Sequence, residues 1–223
     1  MIGTPMEWTA RLDNYCERID PSFWAEPVNA VTNAAFILAA LVCWGMLGGK
    51  QDWGARLLTV ILTAIGIGSF LFHTYATRWA LMTDVAPITL FILTYVYLAT
   101  TRFFGLRWWW GGAAVVAFFP YSAAVSAVVA ETFGPLNGSV GYMPVALLIF
   151  GYALAMLPRD ADTARGLAIG ATILCVSLLF RTIDHAICPS FPQGTHFLWH
   201  ILNGIMLGWM IAVYHRHGRS HAL

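Results

Sequence analysis

Charge is scarce in this sequence: Asp, Glu, Lys and Arg supply 10% of the 223 residues, while 59% are hydrophobic. A soluble domain carries about 25% charged residues. Such a chain cannot cover a globular surface with solvated groups, which argues against a soluble enzyme or binding module and for an integral membrane protein. The net charge of +1 offers no basic field, so no nucleic-acid partner is expected. Lysine is rarer still, with Lys50 alone in the connector "GGKQDWG". A retinal Schiff base needs a lysine inside the membrane, so no retinal is expected either. Residues 1–27 lack an apolar h-region and hold Glu7, Arg11, Asp13, Glu17, Arg18, Asp20 and Glu26. No cleavable signal peptide is therefore expected, and the first apolar run directs insertion. No run shows the paired Gly/Pro-interrupted halves of transporter repeats.

What the chain has in quantity is apolar runs. Taking about 20 residues per spanning helix, seven runs are found, at 28–48, 55–75, 82–101, 110–130, 140–157, 164–184 and 195–214. The reading is an all-α membrane protein of seven transmembrane helices, with its termini on opposite sides. Three segments are expected: an acidic N-terminal segment over 1–27, a helical domain over 28–215 and a tail over 216–223. Lys and Arg divide unequally between the two sides. Arg11, Arg18, Arg78 and Arg181 fall on one side, and Lys50, Arg56, Arg102, Arg107, Arg159, Arg165, Arg216 and Arg219 on the other. The positive-inside rule then places the N-terminus outside and the C-terminus in the cytoplasm. Trp108, Trp109 and Trp110 fall where interfacial aromatic anchors belong.

Against this background ionisable groups inside the runs are costly and call for a reason. In "GSFLFHTYATRWALMTD", Ser69 and His73 stand one turn apart (i, i+4) near the outer end of the second helix, and Asp84 opens the third helix on the same side. In "THFLWHILNG", His196 and His200 have the same i, i+4 spacing, which puts two imidazoles on one helix face. Three neutral imidazoles are a frequent catalytic zinc set that leaves a fourth position for water. Asp84 is the candidate proton acceptor and Ser69 the candidate donor to an oxyanion. Plainer readings stand beside these. The histidines can be hydrogen-bonded core or interfacial groups, Asp84 a helix N-cap, and Ser69 a small residue at a helix contact. Asp184, three residues after Arg181, reads as a structural ion pair, and His185 as packing or a hydrogen-bond partner behind the site. His215, His217 and His221 read as a solvated tail on the opposite side.

Five of the eleven acidic residues, Glu7, Asp13, Glu17, Asp20 and Glu26, precede residue 27. Carboxylates, amides and carbonyls are the oxygen set that Ca²⁺ prefers, but the spacing is not that of an EF-hand, and an ordinary solvated acidic cap is the simpler reading from composition. Cys16 and Cys188 fall on the expected exterior side, where a disulfide persists. Cys43 and Cys175 lie within helices and read as packed thiols.

The ordered set "YCER…FWAEPVNAVTN", "GSFLFH" with Asp84 eleven residues on, "DHAIC" and "HFLWHILNG" resembles the alkaline ceramidase family, within the wider CREST group of seven-helix membrane hydrolases. The resemblance runs from about Asp13 to Gly204. It implies catalytic zinc on His73, His196 and His200, with Asp84 holding and deprotonating the water and Ser69 stabilising the oxyanion. The implied reaction is hydrolysis of the amide bond of ceramide to a sphingoid base and a fatty acid. Another membrane lipid amide or ester, or a lipid-binding receptor role, is the alternative. The resemblance also implies structural Ca²⁺ in the N-terminal segment, which reverses the preference for a plain acidic cap. Glu17 and Glu26 match the family's two glutamates, and Tyr15 stands where a tryptophan lends its carbonyl. The first acidic ligand falls on Asp13 or Asn14, and Asp20 takes the place of an asparagine. This chain reads Asp13-Asn14-Tyr15-Cys16-Glu17-Arg18-Ile19-Asp20 where family members read Asp-Trp-Cys-Glu-Glu-Asn. The short segment and compact connectors suit a bacterial inner-membrane protein with its site toward the periplasm.

Overall fold

The computed structural model describes residues 7–49 and 51–220. His221, one of the three histidines read as tail, lies outside them. The described chain is helical: α1 (Pro27–Thr32), α2 (Ala34–Leu47), α3 (Trp53–Tyr75), α4 (Arg78–Phe104), α5 (Trp108–Phe133), a 3-10 turn (Leu136–Tyr142), α6 (Met143–Met156), α7 (Ala161–Ile187) and α8 (His196–Ser220). Among the described residues no strand forms, and one antiparallel bridge joins Arg11 to Thr77.

Among the described residues, seven helical spans are long and apolar enough to cross a membrane, α1 with α2 counting as the first and the 3-10 turn with α6 as the fifth. Most begin or end beyond the apolar runs expected for them. A membrane-facing backbone must satisfy its own hydrogen bonds, so the helix continues through the interface after apolar composition has stopped. The third span shows this best: it starts at Arg78, six residues before Asp84. Asp84 therefore lies inside α4 and does not open it, which removes the N-cap reading.

Packing places α8 against α2 and α7, and α3 against α2 and α4. On α8, Gly204 and Gly208 face α2. A Cβ at Gly204 would meet the Ala35 backbone at 3.0 Å, and one at Gly208 the Ala39 Cβ at 3.3 Å. Small residues one turn apart let helices approach closely where lipid supplies no hydrophobic drive. This contact seats the start of α8 beside α2. Between α3 and α4 the corresponding device is Gly68, whose Cβ would run into the Thr83 carbonyl. Pro87 has no N–H to give that carbonyl, and the absent side chain at 68 brings α3 against it. Residues 69 and 84, next in line, are thereby brought together.

The C-terminal end departs from the expected tail. α8 continues through Ser220, and His215 and His217 are buried. His215 Nδ1 lies 2.8 Å from Asp52 Oδ2, and His217 Nδ1 lies 3.0 Å from Asp160 Oδ2. Asp52 caps α3 and Asp160 caps α7, each through its carboxylate. The two histidines thus tie the end of α8 to the starts of two other helices. Cys43 is buried as expected, whereas Cys175 is exposed on α7. Trp108, Trp109 and Trp110 are exposed, as anchors are.

Candidate metal centre

The site is assembled from the opposite end of the bundle. His73 comes from the last turn of α3, Asp84 from α4, and His196 and His200 from the first turns of α8. Contacts from α7 fix the first turn of α8 and the N-terminal segment beside it. Asp184 on α7 accepts from the amides of Thr195 (2.7 Å) and His196 (2.9 Å), so it caps α8. Its other oxygen takes the Cys16 amide at 3.0 Å. The expected ion pair of Asp184 with Arg181 is thus replaced by three backbone donors. The Cys16–Cys188 disulfide is present and ties the N-terminal segment to the end of α7. Beside it, His185 Nε2 lies 2.9 Å from the Asn14 carbonyl.

The imidazoles of His73, His196 and His200 converge. One ligand atom from each lies within 4.8 Å of the other two, and ring centroids are 4.6 to 5.2 Å apart. All three side chains are sealed from solvent. His73 turns Nδ1 to Glu26 Oε2 at 2.6 Å, and His200 turns Nδ1 to the Thr32 hydroxyl at 3.0 Å. The opposite nitrogens, Nε2 of His73 and Nε2 of His200, together with Nδ1 of His196, are buried without a hydrogen-bond partner. Leaving one such group unpaired costs about 1–3 kcal/mol, so three together demand an electrophile. A divalent metal fits that donor set, and neutral imidazole nitrogens suit zinc.

Asp84 is buried, and its Oδ1 also lacks a partner. Its polar neighbours are His73, the Ser69 hydroxyl and Arg181. Arg181 sits among aromatic faces, with its guanidinium carbon 5.2 Å from the Trp199 ring centre and 5.8 Å from that of Tyr15. The Tyr15 ring stacks on His196 with centroids 3.7 Å apart. Burial pushes the Tyr15 phenol up to about 12, so it stays a neutral wall of the site.

Several of these partners escape sequence reasoning. Glu26 was read as a Ca²⁺ ligand, and the structure places it behind His73. It stands at the N-cap of α1 without capping it. Glu17 does that work, accepting from the Val28 amide at 2.7 Å and the Asn29 amide at 2.8 Å. Freed from the helix, Glu26 binds His73, Asn29 Nδ2 (3.2 Å) and Arg18. Burial alone would raise its carboxyl, but the hydrogen bonds with His73 and Arg18 and the Arg18 charge outweigh that and hold it below the usual range. Thr32 and Arg181 carry no signal, since neither lies near His73, His196 or His200 in sequence. Of the other expected Ca²⁺ ligands, Asp13, Asn14 and Asp20 are exposed. Asp20 Oδ1 accepts from the Ser22 amide at 2.6 Å.

Fold and site together define a seven-helix membrane protein with a buried three-histidine centre. The sequence model of the family described as Ceramidase matches residues 7–221, and the chain belongs to that family. It is similar to a protein named alkaline ceramidase from Arabidopsis thaliana, 28% identical over 192 residues that cover 81% of this chain and 72% of that one.

Proposed function

We propose that the chain hydrolyses the amide bond of ceramide in the membrane, releasing a sphingoid base and a fatty acid, with zinc held by His73, His196 and His200. Family membership and the name of the Arabidopsis relative support the substrate class. The observation that carries the reading is the group of unpaired imidazole nitrogens beside a buried carboxylate that keeps one oxygen without a partner. When bound, zinc supplies Lewis-acid polarisation and brings the acidity of water near neutrality. The protein supplies the rest. Glu26 and Thr32 orient His73 and His200 through their second ring nitrogens, as carboxylate and hydroxyl partners do at metal sites. Asp84 takes the proton from the attacking water and returns it to the departing amine. Ser69 donates to the oxygen on which charge develops.

An apolar cavity borders the centre at Phe36 and Trp199 and extends along Ile65, Phe91, Tyr95 and Met206. It suits a hydrocarbon chain, which favours a lipid over a soluble amide. The distribution of Lys and Arg supports an outward site with the His215 end in the cytoplasm, so that in a bacterial inner membrane the site faces the periplasm. In this reading the described part of the N-terminal segment, residues 7–27, packs over the site.

Purified protein with stoichiometric zinc is expected to release fatty acid from ceramides, and His200→Ala is not. Equal release by the two would refute the proposal. Cleavage of acyl esters or of other N-acyl lipids in preference to ceramide would move it to the alternative lipid substrate.

A further inference from the structure

The acidic N-terminal segment already contains a cation. Arg18 and Glu26 form a buried pair, with side chains 4% and 3% exposed. An arginine is always charged and presents five N–H donors in a rigid fork, so burying it demands acceptors. It finds four. Nε donates to Glu26, Nη1 to the carbonyls of Asp20 (3.2 Å) and Ser22 (3.4 Å), and Nη2 to the carbonyl of His73 (3.0 Å). One carboxylate and three carbonyls are the kind of oxygen set a hard cation uses.

The residues expected to hold Ca²⁺ do not fit that ion. Each oxygen of Glu17 already accepts an amide of the α1 cap, Oε1 of Glu26 is held by Arg18 and Oε2 by His73 and Asn29, and Asp13, Asn14 and Asp20 lie outside this buried group in solvent-exposed positions. Among the described residues the segment's acids form no three-ligand cluster. An ion on Glu26 would stand against a fixed positive charge that uses the same acceptors, in a buried setting where like charges repel strongly.

We infer that Arg18 is the resident cation of this segment and a positioning residue for the metal centre, and that the segment takes up no Ca²⁺. Its guanidinium neutralises Glu26 and clamps the His73 carbonyl, so one side chain fixes both the ring and the backbone of a ligand. Loss of a partner behind a metal-ligating histidine typically weakens metal binding by about 10–100-fold. The positioning half of the inference rests on the zinc reading above, whereas the calcium half does not.

The test uses the full-length protein in lipid nanodiscs. Equilibrium binding of ⁴⁵Ca²⁺ and melting with and without millimolar Ca²⁺ are measured on wild type. No bound Ca²⁺ and no shift in Tm are expected, and stoichiometric uptake or a higher Tm would overturn the calcium half. Zinc affinity is then measured by chelator competition for wild type, Arg18→Gln and Arg18→Lys. Arg18→Gln is expected to lose roughly 10–100-fold. Arg18→Lys, which keeps the charge without the fork, should show a smaller loss. Wild-type affinity in Arg18→Lys and Arg18→Gln alike overturns the positioning role. If Arg18→Gln does not fold, unchanged affinity in Arg18→Lys alone overturns it. Wild type that binds no zinc at all sinks the metal-site reading and leaves the calcium result to be judged separately.

Discussion

The two ends of α8 carry the same residue type in the same degree of burial. His196 and His200 at its start are each 1% exposed, and His215 and His217 at its end are 3% and 4% exposed. At the start, unpaired nitrogens of two imidazoles stand with a third histidine and with Asp84, whose Oδ1 has no partner. At the end, each imidazole rests on a helix-capping carboxylate, and the unpaired Nε2 of His215 meets no second ligand among the described residues. Burial therefore does not mark a metal ligand. What sets the first end apart is the convergence of nitrogens left without partners, whereas at the C-terminal end each imidazole has a carboxylate on its Nδ1.

The strongest way to break this comparison is to remove a converging imidazole. His200→Ala is expected to lower kcat on the order of 10³-fold, since metal polarisation is worth several kcal/mol, while His215→Ala should leave turnover per folded molecule unchanged. Assay of both variants on ceramide checks it, and equal losses would erase the distinction. Asp84→Asn comes next. It keeps shape and removes the proposed proton acceptor, so a loss of about 10²–10⁴-fold in kcat is expected with zinc content retained. Full activity would return Asp84 to a structural role.

At the other end the expected effects are on stability. Asp52 accepts from Arg102 at 2.9 and 3.0 Å and sits 2.8 Å from His215. Burial would raise its carboxyl, but the Arg102 and His215 hydrogen bonds outweigh this and hold it below the usual range. Asp52→Ala should cost about 1–3 kcal/mol, less than a fully buried pair because Arg102 is partly exposed. Thermal melting measures that loss, and an unchanged Tm would contradict the role given to the cluster. The smallest effect is on pH. Burial would raise the Asp160 carboxyl, but the Thr163 hydroxyl and amide and the His217 contact outweigh it and bring it to about 2 from an ordinary 3.8. A depressed folded-state value stabilises above the ordinary one and is lost as pH falls through the folded one. The Tm advantage of wild type over Asp160→Asn should therefore shrink between about pH 4 and pH 2, and a constant difference would contradict the pairing.

Much of the architecture is legible in the sequence because hydropathy over about 20 residues and the i, i+4 histidine pair are local signals. The seven spans depend on little else, whereas the grouping of His73 with His196 and His200 and the Cys16–Cys188 pairing follow from the side of the membrane to which those spans assign each residue and from the family resemblance. What is not legible depends on partners distant in sequence. His215 and His217 look like solvated tail because Asp52 and Asp160 lie 163 and 57 residues away. Asp84 looks like a cap because apolar composition starts near it, whereas the helix starts at Arg78. Glu26 reads as a cation ligand because it matches a glutamate of the resembled family, and that match says nothing of its neighbours in space. The arginine eight residues away that claims it has no periodic signature.

The most direct test is metal analysis of the purified chain beside five single alanine variants. Stoichiometric zinc is expected in wild type, His215→Ala and His217→Ala, and loss of it in His73→Ala, His196→Ala and His200→Ala. Zinc absent from wild type, retained by the last three variants, or lost equally from all five would contradict the account.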